Sequence, residues 1–249
     1  MKVKKFLRKV HRWLGLLMAL QIIAWMASGL WFSIFPIEEI RGEHLTRPEE
    51  PLALSHMDGL TQPAAVQQAL DDHFGQPWEL SSAALIRLDG TVYWRVSGVH
   101  LEQPFNRLVQ TDTAQVLPML SAAEAESQAR AWLVAPMPPQ SIEWIETIEQ
   151  GSEIRGRDAP VWKVGFAQPE SLKLYLDPWT GEILARRTDR WRIFDFFWML
   201  HIMDFDARED FNHPLLQISA ALGLIIALSG VALWAMTTRV LRRRPRHAS

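Results

Sequence analysis

Two long stretches of the chain have no polar alternation. Residues 13–35 and 215–236 contain no Asp, Glu, Lys or Arg. As helices of 23 and 22 residues, each is long enough to cross a hydrocarbon core of roughly 30 Å. Between them the pattern changes and repeats. Residues 61–74 read as an amphipathic helix with Pro63 in its first turn. Strand-like runs follow at 83–88, 91–97 and 105–117, separated by Asp89-Gly90 and a loop at 98–104. A second round starts at Ser121, which forms a capping box with Glu124 and opens a helix to about residue 134. Its strands are predicted at 142–149, 160–167 and 172–186, the last broken by a turn at 177–181.

The two rounds superpose at shifting offsets. Trp94-Arg95-Val96 matches Trp162-Lys163-Val164 at 68, and Thr113–Leu117 matches Thr180–Leu184 at 67. In the helices, Gln68-Ala69 matches Gln128-Ala129 at 60. Each unit of about 60 residues is marginal alone, which predicts that the two pack together. Alternation puts Val92, Trp94 and Val96 on one sheet face and Tyr93, Arg95 and Ser97 on the other. The matched tryptophans read as core residues rather than a binding platform.

Charge adds a direction. Six cations precede the first apolar run and five follow the second, with no acid in either flank. The remaining 15 basic residues face 28 acids, so the intervening segment carries about −13. Cationic flanks stay on the cytoplasmic side, which places both termini inside a bacterial inner membrane and the middle in the periplasm. The flanks suit anionic lipid headgroups, and the acidic middle argues against nucleic acid as a partner. A cleaved signal peptide is the rival for residues 1–35. Its apolar run is longer than usual, and Trp31, Phe32 and Phe35 follow the small cluster Ala27-Ser28-Gly29. With no cysteine, disulfides, thiolate metal sites, thiol catalysis and covalent c-type haem attachment are excluded. No hydrolase, zincin or phosphate-loop motif is present.

The helices carry polar marks. Gln21, Ser28, Gly29 and Ser33 lie in the first, and Ser219, Gly223, Ala227 and Gly230 form a small-residue stripe in the second. Such a stripe admits a neighbouring helix, the plainer reading, or a flat ligand. Residues 36–58 read as a charged, Pro-containing linker whose acids, including Glu49 and Glu50, are solvated rather than metal-binding. Residues 191–205 are rich in Phe, Trp and Met but too short and polar to span; they read as an interfacial or re-entrant helix.

Three segments together carry a resemblance. They are Arg8-Lys9-Val10-His11-Arg12-Trp13-Leu14-Gly15, Leu174-Tyr175-Leu176-Asp177-Pro178-Trp179-Thr180-Gly181-Glu182, and Met199-Leu200-His201-Ile202-Met203-Asp204 ahead of a helix with Ser229-Gly230. The chain resembles the PepSY-associated transmembrane family over nearly its full length. The resemblance implies an α+β membrane protein, with two transmembrane helices flanking a tandem of two PepSY-like units. Each unit has one helix over a small antiparallel sheet. The implied division is a cytoplasmic tail and first membrane helix (1–35), a linker (36–58), units at 59–118 and 119–188, an interfacial aromatic segment (189–212), a second membrane helix (213–238) and a basic cytoplasmic tail (239–249). Larger members are described as iron-regulated, some as haem-containing reductases of ferric siderophores. Isolated PepSY modules are associated with protease inhibition.

Histidines at the predicted membrane edges are candidate axial ligands of a b-type haem: His201, His213 and His11. Gly15, one turn after His11, offers bare backbone to a porphyrin edge. Asp204 lies three residues after His201 and is expected to orient its ring. The bland alternatives are lipid contact for His11 and a His–Asp hydrogen bond in an aromatic belt for His201. His11 at the inner edge cannot share an iron with His201 or His213 at the outer edge. Haem binding therefore predicts a homodimer or a partner membrane protein, because two helices enclose a haem poorly. Two functions follow. One is haem-linked electron transfer in iron or siderophore utilisation, possible as a ferric-reductase component. The other is a non-enzymatic outer module that restrains a periplasmic protein or senses a ligand.

Overall fold

The computed structural model describes residues 2–49, 51–53, 59–75 and 77–238. The basic tail at 239–249, Glu50 and residues 54–58 of the expected linker lie outside the described residues. The chain divides into two compact units, residues 1–36 with 193–249 and residues 37–192.

The first unit contains α1 (Lys2–Ile34) and α6 (Pro214–Thr237), both long and apolar enough to cross a membrane. Helix α1 begins well before the apolar run, so the cationic segment is helical too. Its 33 residues span about 50 Å. Leu16, Leu20, Ile23, Met26 and Leu30 stand exposed along α1, as do Ile218, Leu224, Leu228 and Val231 on α6. These are lipid-facing positions. The helices run antiparallel: His11 meets Ser229 and Gly230, whereas Trp25 meets Gly223. Two members of the small-residue stripe, Gly223 and Gly230, face α1 in this way, Ser219 is buried and Ala227 is exposed. The stripe therefore serves helix packing.

Helix α5 (Asp189–Ile202) passes from one unit into the other. Its later half lies on α1, with Phe194 4.9 Å from Phe32 and Phe197 5.7 Å from Trp31 between ring centroids.

The second unit holds both repeats. In the first, α3 (Pro63–Phe74) covers the antiparallel sheet β1 (Trp78–Leu88), β2 (Thr91–His100), β3 (Gln103–Gln110). In the second, α4 (Ala122–Trp132) covers β4 (Pro139–Ile145), β5 (Val161–Phe166), β6 (Lys173–Leu176), β7 (Ile183–Arg187). The capping box at Ser121 is present in full. The expected strand 105–117 ends at Gln110 and resumes as a single bridge, Val109 to Val116, where the second repeat has β7.

The helical offset is 59, not 60. Buried Val66 and Leu70 correspond to buried Ala125 and Ala129. The bulge between Leu80 and Ser82 likewise corresponds to that between Pro139 and Ser141. The Trp94 indole donates to the Thr61 carbonyl at 3.1 Å, and the Trp162 indole donates to the Leu120 carbonyl at 2.9 Å. Each tryptophan thus ties its sheet to the start of its helix.

The first sheet is covered on both faces, unlike the one-sided sheet the alternation suggests. Val96, Phe105 and Val109 pack on α3, while Leu88, Leu108 and Tyr93 join Leu174, Leu176, Val164 and α4 in the core of the second repeat. Arg95 pairs with Glu182, and Arg107 stacks on Trp179 at 4.6 Å. The two repeats therefore share one core, as their small size requires.

Much of the expected linker belongs to this core. Helix α2 (Ile37–Ile40) buries Ile40. The Arg47 amide donates to the Trp132 carbonyl at 2.7 Å, and Thr46 bridges to Leu133. Charges at 38–49 are an exposed fringe over an ordered segment, because backbone pairing rather than side-chain polarity holds it.

Candidate functional site

Two histidines of the first unit are held by serines of the helices beside them. On α1, the Ser28 hydroxyl donates to the Trp25 carbonyl at 3.1 Å. The same hydroxyl pairs with His201 Nδ1 at 2.7 Å; with its single proton on the Trp25 carbonyl, it is the acceptor for an Nδ1–H. On α6, the Ser229 hydroxyl donates to the Ile226 carbonyl at 2.8 Å. His11 Nδ1 lies 2.9 Å from that hydroxyl and 3.1 Å from the same carbonyl. A carbonyl can only accept, so His11 carries its proton on Nδ1. With Nδ1 protonated, each ring keeps the Nε2 lone pair uncommitted, and no hydrogen bond to either Nε2 occurs among the described residues.

The Ser-Gly pair on α6 explains how the His11 ring fits. A Cβ at Gly230 would lie 3.2 Å from His11 Cε1, so glycine there gives the ring its place against α6. Gly15 has open space where a Cβ would sit. Beside His11, Arg8, Lys9, Arg12, Trp13 and Leu233 line a cavity of about 400 Å³.

His201 closes α5. The last carbonyls of a helix lack internal partners. Here Gln21 donates to the Leu200 carbonyl at 3.1 Å, and the Trp25 indole donates to the His201 carbonyl at 2.8 Å. The His201 ring also neighbours Phe32 at 5.7 Å. Gln21, Trp25 and Ser28 lie at spacings of four and three, one face of α1. Their polarity inside an apolar run was visible in the sequence; their partner on α5 was not.

Asp204 does not orient His201. Its buried carboxylate accepts from the backbone amides of Asp206, Ala207, Glu209 and Asp210 at 3.0–3.2 Å. Desolvation pulls its pKa up, and these four bonds outweigh it, holding the group below the usual carboxylate range. Met203, at positive φ, turns the chain away from α5, so Asp204 faces the loop rather than the ring three residues earlier. His213 stands at the N-cap of α6 with Nδ1 buried and unpaired. No hydrogen bond or ring contact joins it to His201 among the described residues.

His11 and Ser28 are 17 positions apart on one helix, roughly 25 Å along its axis. His11 and His201 are therefore separate sites. No cluster of three or more His, Asp or Glu suited to a metal ion exists among the described residues.

A family model for the PepSY-associated TM region matches residues 8–249. The chain belongs to the PepSY-associated transmembrane family. It is a membrane protein whose outward-facing apolar positions contact the lipid bilayer. No curated protein and no solved structure matches it.

The second unit has its own polar centre, which the sequence reading missed. Glu153 accepts from Arg192 at 2.7 Å, Tyr175 at 3.2 Å and Lys173 at 3.3 Å. Burial pushes its carboxyl up, but Arg192 and Lys173 outweigh that and hold it low. Burial and the neighbouring carboxylate push Tyr175 up. Burial lowers Arg187 to about 10, and its guanidinium lies 4.0 Å over the Trp191 ring. This centre ties the loop before β5 to the start of α5.

Proposed function

We propose that this protein serves haem-linked electron transfer in iron or siderophore utilisation. In this reading it sits in the bacterial inner membrane, with both termini cytoplasmic and the acidic repeat domain periplasmic. The observation that carries it is the shared state of His11 and His201. Each ring sets Nδ1 against a serine hydroxyl of a neighbouring helix and has no hydrogen bond to Nε2 among the described residues, the arrangement a haem-ligating imidazole needs.

The residues fit a b-type haem. His201 would supply one axial nitrogen and His11 another, at separate sites. Around His11, Arg8, Lys9 and Arg12 supply cations suited to propionate carboxylates, and Gly15 leaves room for the macrocycle edge. Bound haem would supply a one-electron couple. Ser28 and Ser229 set the ring orientation, and the hydrogen bonds to Nδ1 raise the basicity of Nε2. Trp25 and Phe32 wall the His201 ring from water. His11 stands alone at its level, so a second imidazole there would come from another copy or a partner membrane protein, whereas His213 is expected at the same edge as His201. His213 is a third candidate on the strength of its unpaired Nδ1. Reduction of a ferric siderophore outside the membrane is the matching reaction.

The test is a visible spectrum of the protein purified in mild detergent after haem-replete expression. A Soret band that is lost in His201→Ala or His11→Ala supports the reading. A folded protein with no Soret band overturns it, leaving the outer domain as a non-enzymatic binding module anchored by two helices.

A further inference from the structure

The two repeats share a fold but differ in the space between helix and sheet. In the first, a groove of about 510 Å³ opens between α3 and the strands β1 and β2. Its floor includes Ala83, paired with Val96, and Leu85 next along β1 pairs with Trp94. At the offset of 59, the second repeat carries Ile142 and Trp144 instead. Ile142 packs into the shared core, and Trp144 meets Trp162 edge to face at 4.9 Å between ring centroids. The groove is therefore a property of the first repeat's side chains, not a requirement of the fold.

Its walls are set in advance. Trp78 donates its indole N–H to the Asp71 carboxylate at 2.9 Å, and Trp94 donates to the Thr61 carbonyl at 3.1 Å. With both N–H groups satisfied, the rings are fixed and offer apolar surface. Ordering them costs a ligand little. The volume lies in the range of small-molecule sites, roughly 300–1,000 Å³. Among the described residues, Asp71 is the one charged side chain in the lining, and no Lys or Arg lines it. Its second carboxylate oxygen accepts no hydrogen bond among the described residues. Asp72 follows Asp71 and Glu79 follows Trp78 in the sequence.

We infer that this groove binds a small hydrophobic amine. Its apolar or aromatic body lies between α3 and β1 against Trp78 and Trp94, and its ammonium pairs with Asp71. Charge selects the cation: an anion meets Asp71 with nothing to neutralise it, and a neutral isostere forgoes both the ion pair and the cation–π attraction. The site stands independently of the haem reading, because it shares no residue with His11, His201 or the membrane helices.

The experiment uses the full chain in nanodiscs and tryptamine as probe, measured by equilibrium dialysis with empty nanodiscs subtracted. 3-Ethylindole and indole-3-acetate serve as neutral and anionic isosteres. Tryptamine is expected to bind saturably below about 1 mM, with the neutral isostere at least about fivefold weaker and the acid weaker still. Ala83→Ile imports the residue found at the matching position of the second repeat. It should weaken tryptamine at least about tenfold while leaving the circular dichroism spectrum and melting temperature unchanged. Asp71→Asn keeps an acceptor for Trp78 and should reduce tryptamine to the level of the neutral isostere. Absence of saturable binding up to about 5 mM, equal binding of the acid, or undiminished binding by folded Ala83→Ile would each overturn the inference.

Discussion

Replacing Ser28 by alanine isolates the contact that sets the state of His201. Ser28 is fully buried, at 0 % exposure. Its hydroxyl joins the Trp25 carbonyl to His201 Nδ1. Removing it leaves the Trp25 carbonyl with its ordinary helical role but leaves a buried Nδ1–H without an acceptor. Such an orphan costs about 1–3 kcal/mol in proteins generally. Hydrogen bonds between membrane helices measure nearer 0.6 kcal/mol, with a maximum of about 1.7. The lower figures govern here, giving an expected loss of about 1 kcal/mol. The imidazole has one way to relieve the strain: it moves its proton to Nε2, which then ceases to be a lone pair. Ser33→Ala is the matched control, since the Ser33 hydroxyl only back-bonds to the Leu30 carbonyl at 2.8 Å and is exposed. Unfolding in mixed micelles should show Ser28→Ala less stable than Ser33→Ala by about 1 kcal/mol. Nitrogen NMR of labelled histidine should show the His201 tautomer moving to Nε2–H. Equal stability of the two variants with an unchanged tautomer would refute the assignment.

Gly230→Ala places a methyl 3.2 Å from His11 Cε1, so the ring must shift by a few tenths of an ångström; the His11–Ser229 bond should lengthen, read as a changed His11 ring signal, with a loss of about 1 kcal/mol. Glu153→Gln removes a carboxylate that three side chains address, and should cost about 1–2 kcal/mol at neutral pH. Because the folded pKa of Glu153 is depressed, its contribution is present above the unfolded value near 4.3 and disappears as pH falls through the lower folded value. The gap in melting temperature between wild type and Glu153→Gln should therefore close only in acid; a gap constant down to about pH 2 refutes the carboxylate's role. Asp204→Asn keeps one acceptor oxygen but loses the charge facing four amides, and hydrogen exchange at residues 206–210 should accelerate while the His201 ring signal stays unchanged. A moved His201 signal would restore Asp204 as its orienting group.

The local signals that proved readable rest on short-range physics. The apolar runs mark α1 and α6 because chain length against bilayer thickness needs no knowledge of partners. The Ser121–Glu124 capping box is closed within four residues. The Trp94–Trp162 match survives because each tryptophan meets the same backbone position in its own repeat. The helix match is off by one residue, because the identical pair Gln68-Ala69 and Gln128-Ala129 does not line up the buried positions, whereas the buried pairs Val66–Ala125 and Leu70–Ala129 differ in type. The segment after Pro36 looked like a linker because its charges face outward; its order comes from backbone bonds to Trp132 and Leu133, nearly ninety residues away. His201 was singled out for its neighbourhood, and Asp204 was paired with it by helical spacing that ends at Met203.

The sequence by itself determined the two membrane helices, the repeat, the absence of thiol chemistry and the histidines worth weighing. Periodicity, capping and composition act within a few residues, so they are written where they act. Only the tertiary structure decided that Ser28 and Ser229 meet the two histidines, that the rings sit roughly 25 Å apart along α1, and that a groove opens in the first repeat. Each of these depends on which distant side chain fills the space opposite, and no single stretch of chain records its partner's shape.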